Sequence, residues 1–241
     1  MRIVTWNCKG AFHRKHQFVA ALRADILVVP ECEQQKEGAT WFGPDAVNTS
    51  LWFGDSPRKG LAAFSFGEYK LSIHPNYDAS YKWIVPIVVS GPKTFLLFAV
   101  WTLPKGQYRG RYVRPLLEAL TTYESLFEDL PVVWVGDYNS NYIFDEPTRR
   151  YKFKDYVSLL AKRGMNSVYH SVTGAEHGAE PDPTFWLYHR ENRPYHIDYV
   201  FAQDEFHTGR ISVAIGSHAE WSARSDHAPL VCDFHENNGD A

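Results

Sequence analysis

Short apolar runs with polar turns between them recur along the whole chain and predict a protein built mainly from β-strands. The most apolar and β-branched runs are residues 2–6, 25–29 and 132–135, which is typical of strands buried on both faces of a sheet. Further strands are expected at 195–202, 211–215 and 229–234. Gly, Pro and Asn separate another series of β-rich runs at short intervals, so antiparallel hairpins are expected there. These runs are Ser50–Phe53, Leu61–Phe66, Tyr69–Ile73, Trp83–Val89 and Thr94–Val100.

Three segments place apolar residues at helical spacing and predict helices over 13–22, 112–127 and 151–163. The last of these is closed by Gly164, a residue common just after a helix end. No repeat and no linker divides the chain, so one domain over residues 1–235 is expected. The acidic segment 236–241 has no packing residues and is expected to be a disordered tail. The predicted architecture is two mostly antiparallel sheets facing each other with helices outside.

Composition narrows the class of protein. The hydrophobic fraction of 44% and the aromatic fraction of 15% indicate a globular domain. The net charge of −3 gives no overall attraction to polyanions, so any nucleic-acid affinity needs a local basic surface. Three sparse cysteines without metal-binding spacing disfavour a disulfide framework and a cysteine–zinc site. With no leader-like start and no run long enough to span a bilayer, a soluble cytoplasmic protein is expected.

Polar residues repeatedly follow the apolar runs, at the points where strands are expected to end. The clearest case is Val132–Gly136, followed by Asp137 and Asn139, whose side chains point to the same side of an extended chain. A strand-ending Asx turn explains a single case of this kind equally well. The recurrence at several strand ends favours a shared site instead: Asn7, Glu31, Asp137 with Asn139, Asp198, and Asp226 with His227. Such oxygen-rich donors suit hard cations, which commonly act on phosphate oxygens.

In these residues the chain resembles the endonuclease/exonuclease/phosphatase superfamily, which includes exonuclease III and deoxyribonuclease I. The matching motifs occur in the family's order across nearly the whole chain: Thr5-Trp6-Asn7, Pro30-Glu31, Gly136-Asp137-Tyr138-Asn139, Ile197-Asp198-Tyr199 and Ser225-Asp226-His227. The resemblance implies a four-layer α/β sandwich of two mixed sheets flanked by helices. It also implies a phosphoesterase that depends on Mg²⁺ or Mn²⁺.

The resemblance further implies a role for each matching position. Glu31 is expected to be the main metal ligand and Asp226 a second one, with Asn7 near the metal and holding Asp137. Asp137 is expected to orient or deprotonate the attacking water. Asn139 is expected to bond either the scissile phosphate or Asp137.

A histidine–aspartate pair completes the expected catalytic set. His227 is expected to contact a non-bridging phosphate oxygen. Asp198 is its expected partner, because a carboxylate can fix the tautomer of an imidazole and keep it charged.

The chain departs from the family pattern at two places. Lys9 stands where exonuclease-III-like enzymes usually carry an acid, and a cation there can meet a phosphate but cannot bind metal. Thr102 stands where the deoxyribonuclease-I-like branch carries His, and Trp101 has no nearby Tyr of the exonuclease-III type. The leaving-group acid is therefore unassigned, with water on the metal, Tyr108 and Tyr138 as candidates.

Basic and aromatic residues alternate in the loops expected around this site, a pattern typical of surfaces that bind single-stranded nucleic acid. The candidate substrate-binding residues are Lys9, Arg109, Arg111, Trp101, Tyr108 and Trp186. The alternative is that half of the aromatics are core and the charges ordinary surface. The leading hypothesis is a monomeric, metal-dependent nuclease that hydrolyses DNA phosphodiesters by in-line attack of water, with single-stranded substrates or low sequence specificity expected. A phosphatase or a lipid- or small-molecule phosphodiesterase of the same fold is the runner-up, and a non-catalytic binding module is third.

Overall fold

Two six-stranded sheets lie face to face in this computed structural model, which describes residues 1–43, 46–104 and 112–235. The first sheet has the order β13-β14-β1-β2-β4-β3, and only its β1–β2 pair is parallel. Its strands are β1 (Arg2–Thr5), β2 (Ile26–Cys32), β3 (Val47–Ser56), β4 (Lys59–Phe66), β13 (Ile211–Ile215) and β14 (Leu230–Phe234).

The second sheet has the order β5-β6-β7-β8-β12-β9, and only its β7–β8 pair is parallel. Its strands are β5 (Lys70–Ile73), β6 (Ile84–Ser90), β7 (Phe95–Trp101), β8 (Val132–Asp137), β9 (Met165–Ser167) and β12 (Asp198–Gln203). A small hairpin of β10 (Phe185–Trp186) and β11 (Pro194–Tyr195) lies before β12. The pairs β3–β4, β5–β6 and β6–β7 are antiparallel, so the hairpins predicted between residues 48 and 100 are present.

The helices are short. They are α1 (His16–Ala20), α2 (Val113–Thr122), α3 (Phe153–Ala161), α4 (Val168–Thr173) and α5 (His218–Trp221). In the described part of the chain, six 3₁₀ turns accompany them, at Phe12–Arg14, Ala79–Tyr81, Glu124–Phe127, Tyr142–Phe144, Leu187–His189 and Asp204–Phe206.

The predicted helices differ from the structure mainly at their ends. The segment predicted over 13–22 is a 3₁₀ turn followed by α1, because Lys15 leaves helical geometry with φ −124°. The segment predicted over 112–127 ends at Thr122 and continues as a 3₁₀ turn. The apolar spacing gave no indication of α4 and α5, which are only six and four residues long.

Alternating side chains on the strands divide the core into three parts. Ile3 and Val28 of the first sheet meet Val133 and Val200 of the second sheet between the two sheets. The outer face of the first sheet packs against residues that include Phe12, Val19 and Trp221, so the short helices α1 and α5 cover it. The outer face of the second sheet packs against α2 and α3 through residues that include Leu116, Tyr156 and Leu160. The predicted four-layer α/β sandwich is confirmed.

Two smaller observations complete the fold. All three cysteines are buried and unpaired. Within the described ranges, no helix is long and apolar enough to cross a membrane. The predicted tail, residues 236–241, lies outside the described part of the chain.

Candidate active site

The strand order brings the predicted polar strand ends to one end of the molecule. Parallel β1 and β2 deliver Asn7 and Glu31 to the same edge, where Cys8 N–H donates to Pro30 O. In the second sheet, Asp137 ends β8 and lies directly opposite Asp198, the first residue of β12. His227 reaches the same end, because its segment precedes β14, which runs antiparallel to β1.

Asp137 is fully buried and held by two amides. The Asn7 and Asn139 side chains each donate to its Oδ2 at 2.9 Å, and the Asn139 backbone N–H donates to Oδ1 at 2.8 Å. Asn139 reaches this position in a left-handed conformation, with φ 47°. The preceding Gly136 has φ 147°, and a Cβ there would lie 1.9 Å from the carbonyl oxygen of Val100. Only glycine allows β8 to lie this close to β7 immediately before the carboxylate.

A second buried pair lies beside Asp137. His227 Nδ1 is 2.8 Å from Asp198 Oδ2, and both side chains are almost completely buried. The other carboxylate oxygen, Asp198 Oδ1, is buried and has no hydrogen-bond partner. One ligand atom from each of Asp137, Asp198 and His227 lies within 4.8 Å of the other two. The structure therefore brings these three predicted site residues together.

Burial and mutual charge set the protonation of this group. Burial raises the pKa of Asp137 to about 7, and the neighbouring Asp198 charge adds to the rise, against the opposing effects of His227 and the amide donors. Burial by itself would lower the pKa of His227, but the charge and hydrogen bond of Asp198 outweigh it and raise this pKa to about 9. The pair is thus an imidazolium held by a carboxylate. Asp137 has a pKa suited to accepting a proton near neutral pH.

Two further residues position this cluster: Thr184, which the sequence did not single out, and Ser225, which was named only as part of a motif. The hydroxyl of Thr184 accepts from the backbone N–H groups of Ile197 and Asp198, each at 3.0 Å. The hydroxyl of Ser225 donates to Asn7 O at 2.7 Å and accepts from His227 N–H at 3.1 Å. No local pattern marks Thr184, because its partners are 13 and 14 residues away.

Glu31 lies at a break in the pairing of β2 with β4, between Pro30 and Cys32. Its φ of 61° is unusual for a residue with a side chain, and bulges of this kind redirect a side chain beside an active site. Its Oε2 forms a salt bridge of 2.7 Å with Lys59, a residue that sequence reasoning missed.

Asp226 is also paired with a lysine. Lys9 Nζ lies 2.7 Å from Asp226 Oδ2 and 2.9 Å from His189 Nε2. Lys9 itself adopts a left-handed conformation, with φ 53°. The position that departs from the family pattern therefore contributes an ammonium group bonded to the predicted second metal ligand.

The other predicted substrate-binding residues are either buried or lie outside the described residues. Trp101 and Trp186 are each only 3% exposed, packed against Trp83 and His218, so neither indole presents a ring face to a base in this structure. A base-stacking role for these two residues does not fit this placement, because β7 and the hairpin β10–β11, which the sequence did not predict, turn both indoles inward. The other predicted contacts, Tyr108, Arg109 and Arg111, lie outside the described residues.

The structure also places Tyr138, a candidate for the leaving-group acid, and Thr102, which stands where relatives carry a histidine. Tyr138 points into the core with α3 and is fully buried, so its hydroxyl faces away from Asp137. The buried Thr102 hydroxyl donates to the Tyr138 carbonyl, and Thr102 N–H donates to Asp137 O at 2.9 Å. Thr102 therefore has a structural role, tying the ends of β7 and β8 together.

A cavity of about 340 Å³ opens beside Asn139. Among the described residues, its lining combines aromatic rings with the guanidinium of Arg149: the aromatic residues are Tyr112, Phe144, Phe153, Phe185 and Tyr195. The ring of Phe185 also lies 4.7 Å from that of His227, so the cavity adjoins the buried cluster. This combination of an apolar concave surface with convergent polar groups is typical of a ligand site.

A buried acid with a raised pKa and a charged histidine–aspartate pair form one compact cluster, at the end of the sheets that also carries Glu31 and Asp226. The sequence model described as the Endonuclease/Exonuclease/phosphatase family matches residues 4–227. The chain belongs to this family. Like its relatives, it is a hydrolase of the nuclease and phosphatase class.

Solved structures support the same fold. A 3′–5′ exonuclease from Neisseria meningitidis is 18% identical, with a TM-score of 0.73 over 98% of this chain and 100% of that chain. A 3′ phosphatase from Neisseria, bound to a product DNA hairpin, is 16% identical, with a TM-score of 0.71 over 98% and 100%. An AP endonuclease from Archaeoglobus fulgidus is 17% identical, with a TM-score of 0.68 over 98% and 100%. No curated protein sequence matches the chain.

Proposed function

We propose that the protein is a nuclease that hydrolyses phosphodiester bonds of DNA by in-line attack of water, with the help of a divalent cation. The observation that carries the proposal is the buried Asp137, held by Asn7 and Asn139 beside the Asp198–His227 pair. This arrangement supplies a proton acceptor and a fixed positive charge within one small space, which is what attack of water on a phosphate diester requires.

The available donors suit a hard divalent cation. Glu31 and Asp226 offer carboxylate oxygens at the same end of the sheets, and Asp198 Oδ1 is a buried oxygen with no partner. Oxygen donors of this kind are preferred by Mg²⁺ and Mn²⁺. Lys59 and Lys9 are the internal competitors for such an ion, because each already neutralises one of the two carboxylates. When bound, the cation would neutralise negative charge on the phosphate oxygens.

The side chains then divide the work. Asp137 accepts a proton from the attacking water, and the two amides fix the orientation of its carboxylate. His227 donates a hydrogen bond from Nε2 to a non-bridging phosphate oxygen, since Nδ1 is engaged with Asp198. Lys9 adds a second positive charge at the same edge, suited to a phosphate oxygen. A general base of this type contributes about 10²–10⁴-fold to rate.

The cavity beside Asn139 supports a nucleic-acid substrate. Its aromatic walls can receive the sugar or base next to the cleaved phosphate, and Arg149, which is paired with Glu146 at 2.8 Å, also lines it. Two Neisseria structures that share one protein name are described as a 3′–5′ exonuclease and as a 3′ phosphatase bound to a product DNA hairpin, which makes a 3′-phosphatase activity the second candidate.

The test is a cleavage assay on four labelled substrates with Mg²⁺, with Mn²⁺ and with chelator. The substrates are single-stranded DNA, duplex DNA with a 3′-phosphate end, RNA and a small phosphomonoester. We expect metal-dependent DNA cleavage that falls by at least about 100-fold in Asp137→Asn. The control Asp155→Asn changes an exposed acid of α3 and should leave the rate unchanged.

Three results would contradict the proposal. Cleavage that persists in chelator would remove the metal from the mechanism. Full activity in Asp137→Asn would remove the proposed base. Hydrolysis of the small phosphomonoester, with no cleavage of either DNA substrate, would exclude a nuclease.

A further inference from the structure

A second cluster of potential metal ligands lies apart from the candidate active site. It combines His170 of α4 with His177 and Glu180 in the following segment, residues 174–183. One ligand atom from each of the three lies within 4.8 Å of the other two. None of these residues belongs to the motifs that carry the family resemblance.

The cluster is already built like a coordination site. His170 Nε2 lies 3.1 Å from Glu180 Oε1, while His170 Nδ1 contacts Ser167 Oγ at 2.7 Å. Asn141 donates to both oxygens of Glu180 at 3.1 Å, and Gly178 N–H donates to Oε1 at 3.0 Å. Ligands fixed by such outer contacts are a regular feature of protein metal sites.

His177 supplies the signal that points to a ligand. Its Nδ1 is buried without a hydrogen-bond partner, which is costly for a polar atom. Its ring is sandwiched between Tyr142, at 4.8 Å, and His170, at 3.5 Å. Because the two imidazole planes differ by only 21°, sharing an ion with His170 requires the His177 ring to turn on its side-chain bonds.

We propose that His170, His177 and Glu180 form a binding site for a zinc-like divalent cation, separate from the candidate catalytic centre. Two imidazoles and one carboxylate match the ligand preference of Zn²⁺, which the oxygen-only donors around Glu31 do not. The ion would tie residues 174–183 to Asn141. Asn141 also donates to His196 O and contacts the Tyr199 hydroxyl, and it lines the cavity beside Asn139. The site would thus stiffen one wall of that cavity.

The test uses the full chain stripped of metal, titrated with Zn²⁺ by calorimetry and with Co²⁺ by visible absorption. We expect one tight Zn²⁺ and a tetrahedral Co²⁺ spectrum in the wild type and in Asp226→Asn. His177→Gln should lose the Co²⁺ spectrum. Its Zn²⁺ affinity should fall by more than about 100-fold, since mutating residues that only hydrogen-bond to metal ligands typically costs about 10–100-fold. The matched control His74→Gln, directly after β5, should bind as the wild type does.

Glu180→Gln provides a second variant, because it removes the ligand charge while an amide oxygen can still accept from Asn141. It should also weaken Zn²⁺ binding and remove the rise in Tm that Zn²⁺ gives the wild type. Zn²⁺ binding that is unchanged in both variants, or absent from the wild type, would overturn the site. Binding that is lost in Asp226→Asn instead would place the ion at the candidate catalytic centre. Nuclease activity is not the readout, so this test and that of the proposed function fail independently.

Discussion

The hydroxyl of Thr184 offers the sharpest test of how the buried cluster is held. Thr184→Val removes one oxygen and replaces it with a methyl group of nearly the same size, so packing is conserved. The lost oxygen accepts two backbone N–H groups, those of Ile197 and Asp198, and the residue is fully buried. Water cannot replace the oxygen without opening the structure.

The expected cost follows from these two contacts. Each buried N–H left without an acceptor costs about 1–3 kcal/mol. Since both groups share one acceptor and can relax together, we expect a loss of about 2–4 kcal/mol in the free energy of unfolding. For a chain of this length, each kcal/mol lowers Tm by about 2–4 °C, so the expected fall is roughly 4–16 °C. Thr184→Ser keeps the acceptor and should lose much less.

Urea denaturation at fixed pH measures the loss, with Thr121→Val as the matched control. The Thr121 hydroxyl is exposed on α2 and only donates to Leu117 O, so its removal should cost less than about 0.5 kcal/mol. Equal stability of Thr184→Val and Thr121→Val would refute the reasoning. So would a Thr184→Ser variant as unstable as Thr184→Val, because the effect would then lie in packing rather than in the acceptor.

Three further predictions follow from the structure. Lys59→Met should raise Mn²⁺ affinity up to about 5-fold in calorimetry, because Mn²⁺ no longer has to displace the half-exposed Lys59 ammonium from Glu31. Unchanged or weaker Mn²⁺ binding would exclude this competition. Gly136→Ala should lose at least about 3 kcal/mol in urea denaturation, because its Cβ meets Val100 O, whereas Gly67→Ala, with open space around it, should lose only about 1 kcal/mol. Because the pKa of Glu180 is lowered, its contribution to stability is complete above about pH 4.5 and is lost as pH falls towards 2, at most about 3 kcal/mol. Glu180→Gln should therefore show a shallower acid loss than the wild type, and parallel curves for the two proteins would contradict the assignment.

Much of the fold could be read from local patterns. The apolar runs around Ile3, Val28 and Val133 predicted buried strands because a strand covered on both faces has no polar side to show. The hairpins between residues 48 and 100 followed from turn residues between β-rich runs. Short elements such as α5 escaped prediction, because four residues are too few for a helical period to stand out.

The candidate site divides in the same way. The site residues at strand ends were recognisable because each follows closely, in the sequence, the apolar run of its own strand, as Asp137 follows the run of β8 and Asn7 that of β1. The lysine partners were not recognisable. Lys59 reaches Glu31 only through the pairing of β2 with β4, and Lys9 reaches Asp226 across 217 residues of sequence.

Burial also decided matters that residue type could not. Trp101 and Trp186 look like base-stacking residues in the sequence, yet their indoles fill the protein interior. An aromatic ring suits both a core and a nucleic-acid surface, and only the course of the surrounding strands chooses between them.

By itself, the sequence determined most of the strands, the order of the motifs and the identity of Asp137, Asn139, Asp198 and His227 as candidates, because each of these residues lies beside a locally recognisable strand. Only the tertiary structure decided the electrostatic state of the site. Desolvation and charges brought together from distant strands set the pKa of Asp137 to about 7 and that of His227 to about 9. These effects depend on distance in space, which the spacing of residues along the chain does not record.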